Sequence, residues 1–71
     1  MYILSQNKLK LVPVGAVSIT FDNHIIIENG ASVAHVVGRY RTEAYAKEVI
    51  RYIANAIENN DTVYNMPEIV S

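Results

Sequence analysis

Apolar and polar side chains alternate through much of the first 40 residues, and this two-residue period is typical of half-buried β-strands. Turn residues separate the segments: Asn29-Gly30 favours a tight hairpin turn, and Asp22-Asn23 predicts a second hairpin turn of two residues. Short loops of this kind favour pairing between consecutive strands. We therefore expect an antiparallel β-meander of about four strands over residues 2–40.

The pattern changes after the strands, where apolar residues recur every three or four positions and predict one amphipathic helix over about residues 42–59. Thr42 is a residue type that caps helix N-termini, and the charge of Glu43 suits the positive end of the helix. Residues 60–71 are expected to form an extended tail, in which Thr62-Val63-Tyr64 favours either a short strand or an extended segment. The predicted apolar stripe of the helix comprises Ala46, Val49, Ile50, Ile53, Ala54 and Ile57.

The order of these elements predicts an α+β fold of the form β-β-β-β-α. A length of 71 residues allows one domain at most, which we place at residues 1–71. Domains this small bury little surface and usually add disulfides, metal ions or oligomerisation. Cysteine is absent and only two histidines occur, so neither a disulfide nor a closed zinc site is available. We therefore expect oligomerisation, and neither a metal ion nor another cofactor.

Composition narrows the class of protein further. Hydrophobic residues make up 51% and charged residues 18% of the chain, which argues against a disordered protein. The N-terminus lacks the pattern of a signal peptide, and no apolar run approaches the ~20 residues of a membrane span. We expect a cytoplasmic protein that does not bind membranes. The net charge of -1, with only six lysines and arginines, argues against a nucleic-acid partner.

One helix covers only one face of a sheet, so the other face should be polar. The alternation instead leaves Ile26, Val33 and Val37 on that second face, together with His35. Because an uncovered apolar patch is typical of an interaction surface, we predict that this second face, with these four residues, or else an exposed sheet edge, pairs with a second copy of the chain. The alternative is a strong sheet twist that lets the helix and the tail cover both faces. The face expected under the helix carries Val17, Ile19, Phe21, Ile25, Ile27, Ala34 and Val36.

A second candidate site lies at the junction between the last strand and the helix. Arg39 and Arg41 carry guanidinium groups, and Thr42 opens the helix, where free backbone amides favour anions. These residues are a candidate site for a phosphate group or a nucleotide. The alternative is that both arginines are solvated or pair with acidic neighbours, since Glu43 competes for the same amides. The sequence contains none of the common nucleotide-binding, metal-binding or catalytic motifs, so we do not expect an enzyme.

Three short motifs are spread over nearly the whole chain: Ser5-Gln6-Asn7-Lys8, Gly38-Arg39-Tyr40-Arg41-Thr42-Glu43 and Tyr64-Asn65-Met66-Pro67. In this order they resemble a group of short, uncharacterised proteins of Gram-positive bacteria and of their phages and prophages. The resemblance implies a strand-rich domain with a helix, and it carries no activity or catalytic residue to transfer. Small phage proteins often act by binding a host protein or a signalling nucleotide, and in the nucleotide case the resemblance directs attention to Arg39 and Arg41.

Two expectations about function follow. The first is a non-enzymatic protein-interaction module that works as a homo-oligomer, with self-association as its main contact and a host protein as a further partner. The second is a protein that binds or sequesters a small phosphate-bearing ligand, such as a nucleotide, at Arg39, Arg41 and Thr42.

Overall fold

The computed structural model describes residues 1–30 and 33–68, which form six strands and one helix. The predicted α+β fold is confirmed: the strands before the helix pair antiparallel, the helix follows, and a short C-terminal strand comes last. The elements are β1 (Tyr2–Leu4), β2 (Leu11–Pro13), β3 (Ala16–Ile19), β4 (His24–Glu28), β5 (Ala34–Arg39), α1 (Glu43–Glu58) and β6 (Val63–Asn65).

The strands divide between two three-stranded sheets. In the first sheet, β1 lies between β2, which is antiparallel to it, and β6, which is parallel to it. The second sheet is the antiparallel meander β3-β4-β5. The arrangement therefore differs from one layer of about four strands, because five strands precede the helix and the first of them takes the distant β6 as a partner. Local periodicity does not reveal a pairing between the two ends of a chain.

Gly15 lies where the chain passes from the first sheet to the second. A Cβ atom at this position would collide with the main-chain oxygen of Glu28 and would lie 2.7 Å from the Cα of Asn29. Both atoms belong to the backbone and cannot move aside easily, so glycine is required at the crossing. The Asn29 side-chain amide also donates to the main-chain oxygen of Pro13 (3.3 Å), which ties the crossing to the end of β4.

Each sheet turns one face toward a common hydrophobic core. Ile3 is the fully buried residue of the central strand in the first sheet, and Ile25 and Ile27 are its counterparts in the second. Val12 and Met66 extend the same cluster around the first sheet. Because side chains from both sheets are in one cluster with the helix, the two sheets depend on each other for burial.

The helix α1 begins and ends close to its predicted bounds. The Thr42 hydroxyl oxygen accepts a hydrogen bond from the Tyr45 amide (3.1 Å), which confirms Thr42 as the N-cap. Asn60, just beyond the helix, adopts a left-handed conformation with φ of 58°. Ala54 and Ile57 were expected in the buried stripe, but both are exposed, because the side of the helix that packs against the core is narrower than its apolar side. The buried residues of the helix are Ala46, Val49, Ile53 and Ala56.

A β-bulge in β5 changes which residues face the core. Ile25 pairs with Gly38 and Ile26 pairs with Val36, so Val37 is an extra residue between them. The bulge directs Val37 into the core, where it is 1% exposed, and leaves Val36 47% exposed on the opposite face. The prediction that Val37 forms an uncovered interface is therefore wrong, and so is the prediction that Val36 lies under the helix.

The strand register also moves other residues of the predicted interface. His35 pairs with the buried Ile27, so it lies half-buried on the core-facing side rather than on the second face as expected. Ala34, expected under the helix, is exposed on the outer side. Ile26 lies half-buried on the outer side, and Val33 is 59% exposed just before β5. Residues Ala34 to Val37 alternate without interruption, so the bulge that reverses Val36 and Val37 also reverses Ala34 and His35.

The turn between β3 and β4 is closed by a hydrogen bond between Thr20 and His24, and its loop contains three residues, 21–23, instead of the predicted two. The Asn23 amide donates to the Thr20 oxygen (3.0 Å), and the Thr20 amide donates to the His24 oxygen (2.9 Å). Asn23 has a φ of 60°, as expected for a three-residue hairpin loop that ends in a left-handed residue. The extra loop residue takes Phe21 out of the strand. Phe21 is 95% exposed, so its predicted place under the helix is wrong.

Candidate functional site

The side of the first sheet that faces away from the core is apolar at five of its six positions and carries no charged residue. In each of the three strands the middle residue points to the core, so the first and last residues point outward. Tyr2 is 45%, Leu11 is 55% and Val63 is 42% exposed. We call this surface the outer apolar face. It consists of Tyr2, Leu4, Leu11, Pro13, Val63 and Asn65.

The corresponding outer face of the second sheet is mixed in character. Ile26 and Val36, which are cross-strand neighbours, form a small apolar centre. Glu28 lies at one end of this face, and His24 and Arg39 form a cross-strand pair at the other end. A face with charged groups at both ends of a small apolar centre is typical of a solvated sheet surface.

The predicted phosphate site is only partly assembled. Arg39 and Arg41 are both exposed, and they flank Tyr40, which is 2% exposed. The hydroxyl oxygen of Thr42 already accepts the N-cap hydrogen bond of α1. The strand register pairs Arg39 with His24, a residue that sequence reasoning placed outside the site.

The turn between β1 and β2 is held together by its own side chains. The Ser5 hydroxyl donates to the Asn7 side-chain oxygen (2.7 Å) and accepts from the Lys10 amide (3.1 Å). The same Asn7 oxygen accepts from the Leu9 amide (3.0 Å), and Lys8 adopts a φ of 67°. Ser5 is 2% exposed, and its hydroxyl is hydrogen-bonded as a buried polar group should be. These contacts hold the turn in one conformation.

Gln6 connects this turn to the edge of the second sheet. Its main-chain amide donates to the Val37 oxygen (2.7 Å). Its side-chain oxygen accepts from the Arg39 amide (3.0 Å), and its side-chain nitrogen donates to the Arg39 main-chain oxygen (3.2 Å). We call these three hydrogen bonds the Gln6 clamp. The clamp satisfies the end of the β5 edge in place of another strand and fixes the backbone of Arg39.

A groove of about 220 Å³ lies beside the Gln6 clamp. Residues 5–7 of the turn line one side, and residues 36–39 of β5 line the other. His24 of β4 completes the lining. Since His24 and Arg39 are cross-strand partners, their side chains extend from the same side of the sheet at this groove.

Tyrosine residues join the two sheets at the ends of β5 and β6. The Tyr40 hydroxyl donates to the Pro67 main-chain oxygen (2.9 Å), and its ring lies 5.4 Å from that of Tyr45 at 59°. Burial raises the pKa of Tyr40 well above its usual value, with smaller contributions from Tyr45 and Tyr64. Burial also raises the pKa of Tyr64. Both phenols therefore stay protonated at neutral pH, which suits a structural hydrogen bond.

Comparisons with protein-family models, with curated proteins and with solved structures give no significant match for this chain. The resemblance to short proteins of Gram-positive bacteria and their phages stays a prediction. Within residues 1–30 and 33–68, no helix is long and apolar enough to cross a lipid bilayer.

Sequence reasoning missed the outer apolar face, although the sequence contains a signal for it. Residues 2–4 are Tyr-Ile-Leu and residues 11–13 are Leu-Val-Pro, so both strands are apolar at every position rather than at alternate positions. Continuous apolar strands are typical of sheets that are buried on both faces. The partnership of His24 with Arg39 had no such signal, because it depends on the register of β4 and β5.

Proposed function

We propose that the protein is a non-enzymatic protein-interaction module that works as a homo-oligomer, and that its copies meet through the outer apolar face. The observation that supports this is the composition of that face, which is apolar at five of six positions and has no charge. Three of its side chains are 42–55% exposed. Contiguous apolar surface of this kind marks interaction sites on small proteins.

A second copy of the chain is the occupant that suits this face best. The face has no charge, so two copies can meet around a two-fold axis without repulsion between like charges. Its exposed side chains, together with Leu9 beside it, which is 82% exposed, would bury on the order of 500 Å² per subunit, since a large side chain presents ~150–250 Å². That is about a tenth of the total surface of 4527 Å², the share that a specific interface usually takes from a small protein.

The same estimate sets the expected strength of the contact. Two copies would bury about 1,000 Å² in total, which lies at the lower end of specific interfaces. Association must also offset about 4 kcal/mol or more of lost translational and rotational freedom. We therefore expect a dimer with a dissociation constant in the micromolar range rather than a permanent complex.

Sedimentation velocity over about 1 µM to 1 mM protein tests the proposal, since this range covers weak specific complexes. We expect the wild type to dimerise and Leu11→Lys to remain monomeric, because the substitution places an unpaired charge within the apolar contact. Val36→Lys is the matched control: Val36 is 47% exposed, as Leu11 is 55% exposed, but it lies on the outer face of the second sheet. We expect this variant to dimerise like the wild type.

Circular dichroism checks that both variants keep the fold, which we expect because both side chains are exposed. The proposal fails if the folded wild type stays monomeric at about 1 mM. It also fails if Leu11→Lys leaves dimerisation unchanged, or if Val36→Lys abolishes it and Leu11→Lys does not. The last result would place the contact on the second sheet.

A further inference from the structure

We propose that the groove beside the Gln6 clamp binds the phosphate group of a small organic phosphate, with Arg39 and His24 as its main contacts. The groove lies between the β1–β2 turn and β5, and its two main contacts belong to the second sheet, whereas the outer apolar face belongs to the first sheet, so the two proposals can be tested separately.

Positive charge is concentrated around the groove, although the chain as a whole has a net charge of -1. Four of the six cationic side chains lie on the β1–β2 turn or at the end of β5, namely Lys8, Lys10, Arg39 and Arg41. The one salt bridge among the described residues joins Glu43 to Lys47 on α1 (3.0 Å), so it does not neutralise any of these four. Unneutralised cations at one end of a small protein attract anions.

The side chains of His24 and Arg39 point to the same side of the second sheet, so both can contact one ligand. His24 and Arg39 lie directly opposite each other across β4 and β5, and both line the groove. Side chains in this relation are close enough to contact the same group. A guanidinium presents two parallel N–H donors that match two oxygens of a phosphate, and the imidazole adds a third donor.

The walls of the groove are formed before any ligand binds. The Gln6 clamp holds the Arg39 backbone by two side-chain hydrogen bonds, of 3.0 and 3.2 Å, while the Arg39 side chain stays exposed. The paired hydroxyl of Ser5 and the side chain of Asn7 fix the opposite wall. A binding site that is fixed in advance loses little conformational entropy when it takes a ligand.

The size of the groove limits the ligand. A volume of about 220 Å³ is smaller than the ~300–1,000 Å³ of sites for drug-sized molecules. Val36, which is 47% exposed, adds an apolar wall beside the charged groups. These features suit one phosphate group with part of a single organic group beside it, as in a phosphate monoester, better than a dinucleotide or a polymer.

NMR titration of the full chain with three probes tests the proposal: inorganic phosphate, adenosine monophosphate and adenosine. We expect both phosphate-bearing probes to shift the amide signals of Asn7, His24 and Arg39 with saturation below about 10 mM. The monophosphate should bind more tightly than inorganic phosphate because Val36 contacts its organic part. Adenosine alone should cause no saturable shift.

Three variants connect the binding to named side chains. Arg39→Gln should weaken binding of adenosine monophosphate about tenfold or more, since it removes the charged hydrogen bonds of the guanidinium to the phosphate. Arg51→Gln removes the same charge from the exposed side of α1 and should change affinity less than about twofold, because only long-range charge is lost. His24→Gln should also weaken binding. The exposed side chain of Arg39 makes no side-chain hydrogen bond or salt bridge within the described chain, so its variant should fold normally.

Four results would overturn the proposal. The first is the absence of a saturable shift with either phosphate-bearing probe. The second is a shift confined to residues 42–44, which would place the anion at the start of α1. The third is equal weakening by Arg39→Gln and Arg51→Gln, which would mean nonspecific attraction to net charge. The fourth is equal binding of adenosine and its monophosphate, which would mean that phosphate is not recognised.

Discussion

The two sheets have the same number of strands and share one core, but their strands differ in composition. The triplets of β1 and β2 are apolar at every position, whereas β3 and β4 carry polar or charged residues among their apolar ones. In the first sheet the central strand also has a parallel partner, β6. Parallel pairing and continuous apolar strands both occur in sheets that are covered on two sides. A core-facing side is therefore common to both sheets, whereas an outer side without a charged residue is found only on the first sheet.

The inner sides offer the strongest test of this comparison, because they should behave alike. Ile3 and Ile27 are both 0% exposed, each in the central strand of its sheet. We expect Ile3→Ala and Ile27→Ala each to lower the free energy of unfolding by about 2–5 kcal/mol, through lost burial and the cavity left behind. Urea denaturation followed by circular dichroism measures both values.

If either alanine variant is unfolded, Ile3→Val and Ile27→Val give the same comparison at about 0.5–1.5 kcal/mol each. A cost for Ile3 several times smaller than that for Ile27 would contradict the common core. It would show that the first sheet opens separately from the second, as a local unfolding unit.

Sequence reasoning found most of the fold because most of its signals are local. Each of these signals involves only a few neighbouring residues and can therefore be identified from the local sequence. They are the apolar period of α1, its N-cap at Thr42 and the turn at Asn29-Gly30. The strand β4 was predicted at its observed bounds, His24–Glu28, for the same reason. The division into two sheets was not predicted, since it depends on contact between β1 and β6, more than 55 residues apart, as their positions show.

The candidate sites were harder to predict than the fold because faces depend on register. One extra residue in the β3–β4 turn exposed Phe21, and one bulged residue in β5 exchanged Val36 with Val37. Each change involves a single residue, but each moves side chains from one face of a strand to the other. Arg39, a candidate from the sequence, is exposed, whereas its neighbour His24 was found only through the pairing of β4 with β5.

The contacts that join the two sheets can be weakened by pH. The Tyr40 hydroxyl, which follows β5, donates to the oxygen of Pro67, which follows β6. Burial raises the pKa of Tyr40 above the value of about 10 that a tyrosine has in an unfolded chain. Above pH 10 the unfolded chain loses a proton that the folded chain keeps, so stability falls as the pH rises. Below pH 10 Tyr40 is protonated in both the folded and the unfolded chain, so its contribution to stability no longer changes with pH.

The expected loss for Tyr40 alone is at most about 1.4 kcal/mol per pH unit, a slope that is reached well above pH 10, where the tyrosine of the unfolded chain is fully ionised. Tyr64, whose pKa is also raised by burial, adds to it. Urea denaturation at steps between pH 8 and pH 12 measures the slope. Tyr40→Phe should reduce the slope of stability against pH, and it also removes the hydrogen bond to Pro67. Tyr52→Phe is the control, because the Tyr52 side chain is 42% exposed. An equal slope in wild type and Tyr40→Phe would mean that Tyr40 does not link stability to pH.

The smallest effects are expected where single side chains join one sheet to the other. Gln6 makes two side-chain hydrogen bonds to the Arg39 backbone, at 3.0 and 3.2 Å, while Asn29 makes one to Pro13 at 3.3 Å. At about 0.5–1.5 kcal/mol for each hydrogen bond, Gln6→Ala should lower the free energy of unfolding by about 1–3 kcal/mol and Asn29→Ala by about half as much. Amide hydrogen exchange gives a local readout, because Gln6→Ala removes the acceptor of the Arg39 amide and should speed its exchange. Two results would contradict this prediction: unchanged exchange of the Arg39 amide, or a larger loss in the free energy of unfolding for Asn29→Ala than for Gln6→Ala. Either result would mean that the shared core and the crossing at Gly15, rather than the Gln6 clamp, join the two sheets.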